Sequence, residues 1–323
     1  MSILNAQRVI AIEEHYYDAE VVAHFQGIDA RTGGFVREQL EEVSTARLQS
    51  MDAAGIDVQV LAHGAPSTQR MDAETGVRVA KVANDRLYEI CRAHPDRFAA
   101  FAALPTTDPK AAAEELERSV DKLGFKGAMI HGLTGEERLF FDDPRFWPIY
   151  ERAQVLDVPL YIHPANPHPA VVEAYLKDYA ETYPGILNAG WGFTMETATA
   201  GIRIVLSGVF DNYPDVKIIL GHLGETLPFL MWRIDLALNR PGNNGVAFRD
   251  LFTSHFYITT SGFFSDPALL CCIQEMGADR ILFAIDYPFV PNEPGPKWME
   301  RLMLNAEDKA KILHRNAERL LRL

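Results

Sequence analysis

Glu13, His15, His163, His222 and Asp286 are the side chains whose types and positions could do chemistry together. Each lies at or just past the end of a run that reads as a β-strand. The first pair closes the stretch Arg8-Val9-Ile10-Ala11-Ile12-Glu13-Glu14-His15. Strand alternation places Ala11, Glu13 and His15 on one side and Ile10, Ile12 and Glu14 on the other. With Val9, Ala11 and Glu13 facing inward, a carboxylate oxygen and an imidazole nitrogen converge just beyond the strand. An ionised carboxylate buried there without a partner would be costly, and a cation compensates it better than an apolar wall does. Alone, Glu13-X-His15 is more often a salt-bridged strand end than a ligand pair, and a lone His after a strand caps a carbonyl about as readily. The weight comes from several strand ends carrying such residues at one rim. The two nitrogens and two carboxylates of Glu13, His15, His163 and Asp286 suit Zn²⁺ or Mn²⁺, with positions left for water or substrate.

Such a centre requires distant strand ends to gather at one place. Strand patterns occur at 8–12, 57–61, 98–104, 125–130, 158–162, 216–220, 255–260 and 280–285. Helical patterns separate most of them. One is expected over 37–53, with Leu40, Val43, Leu48 and Met51 on its apolar side and Gly55 as its stop. Others are expected over 73–93, after the cap Asp108-Pro109, and over 144–154, 196–207 and 266–274; a terminal helix begins near Asn305. Eight alternating units in 323 residues point to a (β/α)8 TIM barrel, an α/β fold with loop insertions at its C-terminal face. The competing doubly wound sheet would need a glycine-rich dinucleotide fingerprint after the first strand, and none is present. One domain spanning 1–323 is expected, with insertions at about 16–36 and 165–190.

Composition narrows the function classes. The formal charge of −13 is spread along the chain without a basic patch, which argues against nucleic-acid partners. No apolar run approaches a bilayer-crossing length, so no membrane partner is expected. Three cysteines form no disulfide framework, and the opening residues lack the basic and apolar stretches of a signal peptide; a cytoplasmic location is expected.

Several blocks carry a family resemblance. They include Ile12-Glu-Glu-His15, Met51-Asp-Ala-Ala-Gly-Ile56, Phe101-Ala-Ala-Leu-Pro105, Tyr161-Ile-His-Pro164, Ile219-Leu-Gly-His-Leu-Gly-Glu225, Trp232-Arg-Ile-Asp235 and Arg280-Ile-Leu-Phe-Ala-Ile-Asp-Tyr-Pro288. The chain resembles the amidohydrolase superfamily along nearly its whole length. Within it, the likeness is to the branch of metal-dependent non-oxidative decarboxylases of aromatic acids. The resemblance implies Glu13, His15, His163 and Asp286 as ligands of one divalent ion, Mn²⁺ before Zn²⁺, with no organic cofactor. It makes His222 the catalytic histidine, oriented by Glu225, and places Arg233 in the substrate region. Hydrolytic relatives open with His-X-His, so Glu13-Glu14-His15 favours the decarboxylase branch. His15 leans toward γ-resorcylate-like members, with γ-resorcylate (2,6-dihydroxybenzoate) or a related ortho-hydroxybenzoate as substrate and CO₂ as product.

The implied chemistry is protonation of the ring carbon before CO₂ leaves, so that the departing electrons flow toward the carbonyl formed from an ortho phenol. Asp286 is the expected proton donor and His222 the residue that holds the substrate's carboxylate; the reverse assignment stays open. The alternative activity is a metal-dependent hydrolase of a lactone or carboxylate ester, with Asp286 or His222 as base. A non-enzymatic binding protein would not need five ionisable residues directed at one rim. Trp191, Phe193 and Phe289 read as core or rim aromatics, with a place at the barrel mouth favouring contact with a substrate ring. His63, His131 and His168 are weaker candidates to touch ligand, and Arg47 reads as a salt-bridge or subunit contact. A homodimer or homotetramer is expected from the resemblance, with contacts from the two insertions.

Overall fold

The computed structural model of the chain describes residues 7–27, 29–31, 34–238 and 245–323. Its strands are β1 (Ile10–Tyr16), β2 (Val58–His63), β3 (Phe98–Ala100), β4 (Ala102–Ala103), β5 (Ala128–His131), β6 (Leu160–His163), β7 (Ile218–Leu220), β8 (Phe256–Thr259) and β9 (Ile281–Leu282). Every pairing between these strands is parallel, and they follow in sequence order within two runs, β1 to β3 and β4 to β9. The expected strand 98–104 is split at Phe101 into β3 and β4. Its backbone still joins both neighbours, because Phe101 N donates to Leu61 O (2.9 Å) while Lys126 N donates to Ala100 O (2.8 Å). The ring closes where Ile12 N donates to Phe283 O (3.1 Å), Asp286 N to Glu13 O (3.1 Å) and His15 N to Tyr287 O (2.7 Å). The result is the (β/α)8 barrel.

Two apolar layers fill it. The inner layer holds Ile10, Ile12, Val60, Phe101, Tyr161 and Leu282, and residues Ala317, Leu320 and Leu321 of the terminal helix plug it. The outer layer places Val9, Ala11, Leu61, Ile130, Ile162 and Ile258 against the surrounding helices through Leu87, Leu116, Ile149 and Ile204. Val9 and Ala11 therefore face outward, contrary to the simple alternation argument. A bulge reconciles this with an inward Glu13. The β1–β2 register runs Ala11 to Gln59 and then Glu14 to Leu61, so three steps along β1 match two along β2. The extra residue reverses the parity of the strand and re-aims the side chains that follow.

The helices of 73–93 and Asp108-Pro109 form as expected, over Ala73–Ala93 and Pro109–Leu123, with Asp108 accepting from Ala111 N. The helix expected over 37–53 is instead two, Gly34–Glu41 and Thr45–Ala54. Glu42 breaks it: its carboxylate accepts from the backbone N–H of Ser44 (3.1 Å), Ala46 (3.3 Å) and Arg47 (3.0 Å), capping the second helix from outside. In the first expected insertion, Ile28, Thr32 and Gly33 lie outside the described residues, and Ala19–Val22 is helical. The second contains short helical pieces from Pro169 to Leu187. No helix among the described residues is long and apolar enough to cross a membrane.

Candidate metal centre

Ligand atoms from Glu13, His15, His163 and Asp286 all lie within 4.8 Å of one another at the C-terminal end of the barrel. His15 Nε2 is 3.2 Å from Asp286 Oδ1, and His163 Nε2 is 3.3 Å from Glu13 Oε1. Glu13 Oε1 and both nitrogens of His15 are buried without a hydrogen-bond partner among the described residues. Orphaned acceptors gathered this closely, with a hard and borderline donor set, fit one divalent cation. Burial, opposed by Asp286, keeps the His15 pKa below the usual imidazole range, so the ring offers a neutral nitrogen.

Neighbouring side chains orient the four. The other oxygen of Glu13, Oε2, accepts from the Tyr161 hydroxyl and from Thr259 Oγ1 (3.1 Å), leaving Oε1 for the centre. Gly221 permits this approach, since a Cβ there would sit 2.9 Å from Glu13 Oε2. Glu14 turns away from the barrel axis and accepts from Ile285 N (2.9 Å) and Tyr287 N (3.1 Å), the two peptides flanking Asp286. Arg47 is fully buried, donates to His15 O (2.5 Å) and lies over the Tyr287 ring. It supports the backbone beneath two ligands rather than pairing at the surface.

His222 stands beside the cluster, its Nε2 3.6 Å from Glu13 Oε1 and 3.9 Å from Asp286 Oδ2. Its Nδ1 is 2.7 Å from Glu225 Oε1. Burial disfavours the charged ring, but the carboxylates of Glu225, Glu13 and Asp286 outweigh it and raise the His222 pKa well above the usual range. Burial likewise opposes ionisation of Asp286, yet its close approach to the His15 and His222 rings pulls its pKa below the carboxylate range. Of nine non-glycine residues with positive φ among the described residues, five are His222, Leu223, Glu225, Thr226 and Asp286. Backbone strain is thus concentrated in the two segments that aim these groups.

The remaining expected residues divide. Phe289 is at the centre, its ring 5.6 Å from that of His15. Trp191 and Phe193 lie at the start of the helix Gly192–Leu206, with Trp191 49% exposed. Arg233 is on the exposed side of the helix Leu227–Ala237. His131 backs His163, with 2.9 Å between their Nδ1 atoms. His63 accepts from Asp18 N (3.0 Å), and His168 caps a short helix by accepting from Ala170 N (3.1 Å). Tyr161, Thr259, Glu14 and Glu196 were not singled out from the sequence. Tyr161 and Thr259 sit at apolar-looking strand positions, and only the side chain of Glu13 tells that their hydroxyls matter.

Comparisons with known proteins agree with this geometry. The Amidohydrolase family model matches residues 16–323, and so begins just after Glu13 and His15. A γ-resorcylate decarboxylase of Rhizobium sp. (strain MTP-10005) is 40% identical, over 98% of this chain and 99% of the relative. A crystal structure of dihydroxybenzoic acid decarboxylase from Polaromonas sp. JS666, with bound manganese and the inhibitor 2-nitroresorcinol, superposes with a TM-score of 0.90. It is 38% identical, covering 98% of this chain and 97% of that one. The 5-carboxyvanillate decarboxylase of Sphingomonas paucimobilis also gives 0.90, at 34% identity over 98% of this chain and 100% of that one. The chain therefore belongs to the amidohydrolase family, in the branch that contains the γ-resorcylate decarboxylases.

Proposed function

We propose that the protein is a metal-dependent, non-oxidative decarboxylase of a hydroxylated aromatic acid, with γ-resorcylate as the first candidate substrate. The observation that supports this most is the convergence of Glu13, His15, His163 and Asp286 within 4.8 Å, with His222 alongside. Mn²⁺ is the first choice of ion, because the Polaromonas relative holds manganese. When bound, the ion supplies a positive charge that orients an anionic substrate and favours its phenolate.

The chain's own residues do the rest. His222, kept protonated by Glu225, presents a positively charged N–H from Nε2 to the substrate's carboxylate. Asp286 takes the phenol proton as the substrate enters and delivers it from a carboxyl oxygen to the ring carbon that bears the carboxylate. The C–C bond to CO₂ then breaks, its electrons restore the aromatic ring, and the phenolic product departs. Phe289 packs beside the ring, and Trp191 and Phe193 form the rim; Arg233 is the remaining substrate-region candidate. Incubation of Mn²⁺-loaded protein with γ-resorcylate, 2,3-dihydroxybenzoate, salicylate and 5-carboxyvanillate tests the reading by CO₂ release. No release from any of the four, with the metal site filled, refutes it. The proton assignment is tested by hydrogen exchange at the ring carbon of the product phenol in deuterated water. Exchange kept in metal-loaded Asp286→Asn but lost in His222→Asn would reverse the two roles.

We read the chain as one barrel domain that works in the cytoplasm as a homodimer or homotetramer. Tyr175, Tyr179 and Tyr183, 58–74% exposed in the second insertion, support a subunit contact there. Sedimentation as a monomer at micromolar concentration would count against it.

A further inference from the structure

A second group of orphaned polar atoms lies at the barrel mouth, apart from the metal cluster. Glu196, on the helix Gly192–Leu206, is only 5% exposed, yet neither carboxylate oxygen has a hydrogen-bond partner among the described residues. Its Oε1 would lie 2.6 Å from a Cβ built on Gly132, a position that would also meet Ala165 Cβ at 2.6 Å. The carboxylate is therefore pressed against the backbone just past β5 and β6, two residues beyond the ligand His163 along the chain. Gly132 has φ of +54° and leaves the space Glu196 occupies.

Two guanidinium groups stand near. Arg70 spends one end of its fork on Asp29 and the other on Asn166 O (3.5 Å), while its Nε is buried without a partner. Burial raises the Glu196 pKa to about 8, although the charges of Arg70 and Arg138 act to lower it. The surrounding loops are tied to one another: Gly135 N donates to Gln69 O (2.8 Å), Thr106 and Thr134 share a hydroxyl contact (3.0 Å), and Asn166 Nδ2 donates to Asp29 Oδ1 (3.1 Å). Glu196 thus sits in a fixed frame that gives its oxygens no donor.

The missing group must donate to a carboxylate and accept from a guanidinium N–H. A hydroxyl does both. An apolar group would leave both sides unsatisfied. We propose that Glu196 is a specificity-determining residue that accepts a hydrogen bond from a ring hydroxyl of the aromatic acid, one not engaged at the metal cluster, with Arg70 donating to the same oxygen. This rests on the decarboxylase reading and narrows its substrate to acids with a further hydroxyl.

The test compares metal-loaded wild type, Glu196→Gln and Glu196→Ala on γ-resorcylate, which has two hydroxyls, and on salicylate, which has one. Binding of resorcinol and of phenol is measured beside kcat/KM, and metal content is checked for each protein. In Glu196→Ala, kcat/KM for γ-resorcylate should fall on the order of 10- to 100-fold more than for salicylate. Resorcinol should lose its advantage over phenol, with metal content unchanged. Glu196→Gln, which keeps one acceptor oxygen, should lose less and serves as the deciding variant if the alanine protein does not fold. Equal losses on both acids, an unchanged preference, or loss of the metal would overturn the proposal. If wild type decarboxylates neither of these two acids, nor 2,3-dihydroxybenzoate or 5-carboxyvanillate, the decarboxylase reading fails, and the resorcinol-to-phenol binding ratio still decides the role of Glu196.

Discussion

Tyr161→Phe isolates one hydroxyl in the support of the metal centre. The ring is fully buried, so the change conserves packing and removes only the group that donates to Glu13 Oε2. A hydrogen bond to a charged acceptor contributes about 1.5–3 kcal/mol. Metal affinity changes only if the metal-free and metal-bound states lose this unequally, and the geometry makes them unequal. Released from Tyr161, Glu13 can turn toward His163 or His222, which already lie 3.3 and 3.6 Å from Oε1. That relaxes the metal-free protein, and the ion must reverse it on binding. The expected result is a metal affinity weakened about 10- to 100-fold, as for other outer supports of metal ligands. Competition against a chromophoric chelator measures it. Thr259 Oγ1 shares the same oxygen at 3.1 Å, so Thr259→Val should combine with Tyr161→Phe non-additively. An affinity within about threefold of wild type, in a protein that still folds, would show that Tyr161 does not orient Glu13.

Three further outcomes are expected. Glu14→Ala leaves the N–H groups of Ile285 and Tyr287 buried without acceptors and should destabilise the fold by about 2–5 kcal/mol; denaturant unfolding with a loss below ~1 kcal/mol would contradict this. Glu225→Gln removes the largest influence raising the His222 pKa. Because protonated His222 is the active form, kcat/KM should begin to fall at a lower pH than in wild type, and an unmoved alkaline limb would argue against that role. Burial lowers the His63 pKa from 6.5 to about 4. The unfolded chain therefore takes up its proton first, so stability is full above pH 6.5 and falls by ~3 kcal/mol as the pH drops to about 4. His63→Gln should flatten this part of the acid-unfolding curve, and an unchanged slope would show that His63 is not its source.

What could be read directly from the sequence was the alternation of strands and helices, because burial on both faces leaves apolar runs of strand length and helices leave 3.6-residue stripes. Strand ends also marked Glu13, His15, His163, His222 and Asp286 as residues of one rim, since a parallel barrel gathers all its C-terminal ends at one face. Those five do converge. The direction in which β1 aims its side chains was not readable, because an extra residue between Ala11 and Glu14 reverses the parity and only pairing with β2 reveals it. The break at Glu42 was likewise hidden, since capping by a side chain from outside the helix leaves no periodic signal. Tertiary structure alone decided which hydroxyls serve Glu13, that Arg47 supports His15 from within, and that Glu196 is buried without donors. Each depends on residues far apart in sequence meeting at short range, where hydrogen bonding and desolvation set the chemistry and local residue pattern carries no record of it.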